Sequence, residues 1–127
     1  MTFDAAGGME GYAGAGDSDV RVAIVSTMRF PQFGVHVVRS FVAYHLAKGF
    51  DHIFLFFDDA EDTAAMVAKE AFPEEKVTVT VSDVRTTDTS ICKRWRDSCP
   101  SWNEMQNYVH EEVMARQHLN CELALAW

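Results

Sequence analysis

Three short runs of strand-forming residues constrain this chain most. VRVAIVSTM (20–28), HIFLFF (52–57) and VTVTV (77–81) are each of strand length and rich in β-branched or aromatic residues. The first two are apolar at nearly every position rather than at alternate ones, the pattern of a strand covered on both faces. VTVTV alternates Val with Thr, which suits a more exposed face or a sheet edge. Helical patterns lie between them. In VHVVRSFVAYHLAKG (35–49), Val35, Val38, Val42 and Leu46 recur at spacings of three and four and form one apolar face. Lys48 suits the last turn of that helix and Gly49 the left-handed cap that ends it. TAAMVAKEAF (63–72) is a shorter helix stopped by Pro73. Strands alternating with helices predict an α/β fold, a mainly parallel sheet in a three-layer α/β/α arrangement.

The flanks are read differently. Residues 1–19, MTFDAAGGMEGYAGAGDSD, hold five of the seven glycines and no periodic apolar face, so a disordered tail is expected before a single domain over 20–127. Residues 82–100 show no period and are expected to form a long loop. Ser101 with Glu104 makes a capping-box pattern after Pro100, opening a helix expected to run to Trp127. Along it Met105, Val109, Val113, Arg116, Asn120, Leu123 and Trp127 fall on one stripe. Arg116 and Asn120 occupy core-facing positions on that stripe. Either they meet a partner, or the helix end rises above the sheet edge, or the stripe drifts toward solvent; an unpaired buried guanidinium would be very costly.

A formal charge of −8 argues against a nucleic-acid partner, which wants a basic surface. The basic residues that cluster are local: Arg85, Lys93, Arg94 and Arg96, a solvated loop or a loop that attracts an anion. No apolar run approaches the roughly 20 residues that span a bilayer, and no signal-peptide pattern opens the chain. Cys92, Cys99 and Cys121 have no zinc-site spacing; separate thiols are expected, with a Cys92–Cys99 disulfide open in an oxidising compartment. His45 is expected to be packed and hydrogen-bonded rather than a metal ligand.

Ligands of parallel α/β sheets gather outside the carboxyl ends of the strands. Those ends are Thr27-Met28-Arg29, Asp58-Asp59 and Ser82-Asp83. Adjacent aspartates do not match the D-x-D-x-T of aspartyl phosphohydrolases, and an acidic pair after the second strand does not match a receiver domain. Walker, dinucleotide-binding and G-x-S-x-G motifs are absent. A nucleoside diphosphate-sugar suits the rim better: a carboxylate for a ribose hydroxyl or base N–H, a backbone turn for the base edge, and Arg116 with Asn120 one helical turn away for ribose or phosphate.

In order, RVAIVSTMR, FVAYHLAKGFDHIFLFFDDAED and ARQHLNCELALAW resemble the start of GT-A-fold glycosyltransferases of the family-2-like and family-92-like groups. The resemblance covers residues 20–127 and is strongest over 41–59 and 115–124. It implies a Rossmann-like nucleotide-diphospho-sugar transferase half, with Asp58 contacting the nucleotide. Thr27, Met28 and Arg29 would line the base pocket, Arg116 and Asn120 would lie beside the nucleotide or its diphosphate, and Asp83 is a further candidate. Arg29-Phe30-Pro31 stands where the family has Lys-Asn-Glu, and Ser40-Phe41 where it has Glu-Trp. The resemblance also implies a divalent metal, Mn or Mg, held by an Asp-x-Asp strand beyond Trp127. No catalytic or metal-binding residue is therefore expected within these residues, and the chain alone is expected to bind a nucleotide-sugar without transferring it to a glycan, protein or lipid acceptor. A Golgi or secretory setting follows from the resemblance alone. An incomplete sheet would leave the first strand's edge unpaired and prone to self-association. The competing readings are a non-catalytic α/β module that binds a nucleotide or protein through the same rim, and a structural α/β domain whose aspartates merely solvate a strand end.

Overall fold

A computed structural model of the chain describes residues 2–4, 20–29, 34–83 and 89–126. Four strands form one sheet in the order β1-β2-β3-β4: β1 (Thr2–Asp4), β2 (Val22–Met28), β3 (His52–Phe57) and β4 (Val77–Val81). The last three are mutually parallel, in the registers Ile24↔Ile53 and Ile53↔Val77. The helices are α1 (Gly34–Ala47), α2 (Thr63–Ala71), α3 (Thr89–Ser98), α4 (Trp102–Met105) and α5 (Val113–Leu125). None of the described helices is long and apolar enough to cross a membrane.

The side-chain alternation of β3 explains its composition. Ile53, Leu55 and Phe57 pack on one face with Val38 and Val42 of α1 and Ala64, Ala65 and Ala68 of α2. Phe54 and Phe56 pack on the other with Ile91 and Trp95 of α3 and Leu119 and Leu123 of α5. All six β3 residues are buried. At about 1.5–3 kcal/mol per buried large apolar side chain, this central strand contributes more than either neighbour. Both crossovers step in the same direction along the sheet, and connections of one hand then place their helices on one face. α1 and α2 accordingly share a layer, leaving α3 and α5 to cover the other.

Gly49 has φ +100°, and the end of α1 is a Schellman turn: Phe50 N–H donates to His45 O at 3.2 Å and Gly49 N–H to Leu46 O at 3.1 Å. A Cβ at Gly49 would meet nothing within 4 Å. Gly49→Ala therefore carries only the backbone penalty, and a loss of about 1 kcal/mol is expected in urea unfolding; no change in midpoint would contradict the cap. His45 is half-buried, its Nδ1–H donating to Phe41 O at 2.7 Å beside the Phe41 and Phe50 rings, as expected of a packed histidine.

Four expectations need correction. Thr2–Asp4, placed in the disordered tail, pair antiparallel with Val22–Ile24, so the lower half of the β2 edge is covered; residues 5–19 lie outside the described residues. The long loop contains α3; its Ile91 and Trp95, with Cys99 just after it, recur at spacings of four and are buried. The single helix after Ser101 is instead α4, a run of turns over 106–112, and α5, and the restart leaves Val113 exposed. Ser101 makes no side-chain cap. Its N–H and Oγ–H donate to Glu122 Oε1 and Oε2 at 3.0 and 2.9 Å, tying the start of α4 to α5. Trp127 lies outside the described residues.

Candidate functional site at the carboxyl ends of the parallel strands

The two aspartates after β3 have different fates. Asp59 turns the chain out of the core: its Oδ1 accepts from Glu61 N–H at 3.0 Å and its carbonyl from Asp62 N–H at 3.1 Å. Its other oxygen lies 3.7 Å from Nε of Arg29, at the end of β2. That pair is half-exposed at the arginine, so it adds little stability.

Asp58 faces inward. Arg116 Nε–H donates to its Oδ2 at 2.9 Å, and Arg116 Nη1 donates to the Val109 carbonyl at 2.8 Å. Both residues are more than nine-tenths buried. Burial pushes the Asp58 carboxyl above its ordinary value, while Arg116, and then Arg29, pull it back. The hydrogen bond from Arg116 engages one carboxylate oxygen, Oδ2. The core-facing guanidinium of α5 thus meets a carboxylate 58 residues away.

One turn further along α5, Asn120 is 1% exposed. Its Nδ2 donates to Thr27 Oγ1 at 2.8 Å, and its Oδ1 accepts from the Trp95 indole N–H at 3.0 Å. Thr27 also has a distinctive backbone position. Val22 and Met28 carbonyls accept from the Asp51 and Asp58 N–H groups, so even-numbered residues of β2 turn their backbone groups toward β3. Odd-numbered ones turn the other way. There β1 pairs as far as Ile24, and among the described residues no strand pairs with the Thr27 N–H and C=O on that edge. Thr27 borders a cleft on each face of the sheet. One, of about 290 Å³, is also lined by Gln117 and Cys121 of α5. The other, of about 340 Å³, is lined by Met28, Arg29, Val37 and Phe41. Each is near the lower limit for a small-molecule site, which suits a base or ribose rather than a whole nucleotide-sugar.

Of the residues singled out from sequence, Asp58 with Arg116 and Thr27 with Asn120 form two hydrogen-bonded pairs that tie α5 to the ends of β3 and β2. Arg29 pairs with Asp59 beside it, and Met28 packs against the core and lines the second cleft. Asp83 follows β4 and is partly buried. Lys93, Arg94 and Arg96 lie on the exposed side of α3, and Arg85 lies outside the described residues. The sequence reading missed Trp95; the buried spacing Ile91-Trp95-Cys99 was the available signal. The three cysteines form no disulfide, and burial pushes the Cys99 thiol up to about 11, so it stays protonated and donates to Leu119 O.

Among the described residues no group of three or more His, Cys, Asp or Glu could hold a metal ion. Ser101, His118 and Glu122 meet at the surface, with His118 Nε2 at 3.0 Å from Ser101 Oγ. The Ser101 proton goes to Glu122, so His118 donates to the hydroxyl instead of accepting from it, which is the wrong polarity for activating a nucleophile. No protein-family model, curated protein or solved structure matches the chain.

Proposed function

We propose that this chain is the donor-nucleotide-binding part of a GT-A-type glycosyltransferase. One observation carries the reading. The three sequence segments that resemble that family meet at a single rim: Thr27 from the first, Asp58 from the second, and Arg116 and Asn120 from the third, joined by hydrogen bonds of 2.8 and 2.9 Å. Asp58 Oδ1 accepts from a ribose hydroxyl or base N–H, and the Thr27 backbone pairs with a base edge. Arg29 and Arg116 supply positive potential for the diphosphate. The divalent metal expected of the family has no ligand set among the described residues, so its chemistry and the transfer step are assigned to no group here.

The full burial and pairing of Arg116 favour a second reading, in which the two pairs only hold α5 to the sheet and the rim binds no nucleotide. Titration with uridine, guanosine, adenosine and cytidine diphosphates, followed by 1H–15N NMR, separates the two. Saturable shifts at Thr27, Met28, Arg29, Asp58 and Asn120 are expected with at least one of them. Unchanged spectra up to about millimolar nucleotide, the weak limit of specific binding, would leave the structural reading.

A further inference from the structure

The proton on the Thr27 hydroxyl has a direction that the chemistry of its neighbours dictates. An indole N–H can only donate, so the Asn120 atom facing Trp95 at 3.0 Å must be the carbonyl Oδ1. The amide NH₂ therefore faces Thr27, and its 2.8 Å contact is donated to Oγ1. The reverse amide orientation would set two donors against each other at Trp95 and is excluded on that ground. Thr27 Oγ1 has then accepted a hydrogen bond, and among the described residues no acceptor takes the hydroxyl's own proton. The alternation of β2 turns the Thr27 side chain to the α5 face, so the cleft it shares with Gln117 and Cys121 is where that proton is available to a ligand.

Resting on the nucleotide reading above, we propose that Trp95 and Asn120 are positioning residues. They form a relay of one polarity, from indole N–H to amide to hydroxyl, that presents Thr27 to the bound ligand as a hydrogen-bond donor. The ligand group at this point is a carbonyl or phosphoryl oxygen. The second lone pair of the hydroxyl stays available, so the relay favours a ligand acceptor at this point without excluding an N–H or O–H. Trp95 is 1% exposed, so it acts through Asn120 and touches no ligand.

The test uses the nucleoside diphosphate that binds best to the full chain. Thr27→Val keeps the side-chain shape and removes the donor; it is expected to weaken binding about tenfold, the value of one hydrogen bond to a charged or carbonyl oxygen. Thr27→Ser restores the donor and is expected to rescue binding to within about twofold. Trp95→Phe frees the Asn120 amide to turn and is expected to weaken binding by less than Thr27→Val. Repeating the comparison with the free nucleoside and with inorganic pyrophosphate tells a base carbonyl from a phosphoryl oxygen, since only the probe carrying the acceptor senses Thr27→Val. Equal affinity of Thr27→Val and the unaltered chain would overturn the proposal. A ligand-free measurement stands beside it: the Trp95 indole proton is expected downfield and slow to exchange. A fast-exchanging, unshifted indole proton would overturn the relay whether or not any nucleotide binds. If no nucleoside diphosphate binds, the nucleotide reading falls and the ligand role of Thr27 falls with it, while the indole proton still decides the relay.

Discussion

Arg116→Met is expected to lower the free energy of unfolding by about 3–5 kcal/mol near neutral pH, the usual result of removing one partner from a buried ion pair. The pair spans β3 and α5, both members are more than nine-tenths buried, and Asp58 Oδ2 has its hydrogen bond from Arg116. Methionine fills much of the arginine's stem volume, so the loss reports on charge and hydrogen bonding more than on a cavity. Its pH dependence has a defined sign. Burial already raises the Asp58 carboxyl above its ordinary value, against the pull of Arg116. A carboxyl with a raised folded-state value opposes folding once ionised, so its contribution falls as pH rises from the ordinary range through the folded value. Without Arg116 the folded value rises further. The variant's deficit is therefore greatest near neutral pH and shrinks toward about pH 4, where the carboxyl protonates in both states. Urea unfolding at the two pH values checks this, and a deficit that does not change with pH would refute it. Adding Asp58→Asn to Arg116→Met removes the unpaired charge and is expected to recover most of the loss.

Trp95→Ala is the second large effect, a loss of about 3–5 kcal/mol. The indole sits among Ile91, Cys99 and Leu119 in the core between α3, α5 and the sheet. Its removal opens a cavity and leaves Asn120 Oδ1 without its donor, and an orphaned buried acceptor costs about 1–3 kcal/mol. Trp95→Phe keeps most of the packing but loses the N–H, so a smaller loss of about 1–2 kcal/mol is expected. Chemical denaturation measures both. A Trp95→Ala chain as stable as its parent would mean that α3 contributes no docking energy, contrary to the burial of Trp95.

β2, β3 and β4 were legible because two-sided burial writes a nearly continuous apolar run, and HIFLFF is such a run at the middle of the sheet. α1 was legible to its last turn because Gly49 carries a conformation that other residues resist. α3 was not, because TSICKRWRDS is polar overall and shows only one residue in four to the core. The helix after Ser101 was drawn too long because the stripe of three and four continues, by coincidence of spacing, across turns 106–112. Ser101 looked like a local cap, and its true partner, Glu122, is 21 residues away.

From local pattern alone, this chain had its three parallel strands, its first two helices and a carboxylate at the rim, since each rests on contacts within a few residues or on which face is dry. The same pattern marked Arg116 and Asn120 as polar groups on a core-facing stripe. Their partners were decided only when the chain packed: Asp58 is 58 residues from Arg116, and Thr27 is 93 from Asn120. Hydrophobic periodicity reports that a position is buried. What a buried polar group bonds to is set by the long-range packing that removes it from water, because only there does leaving it unpaired become costly.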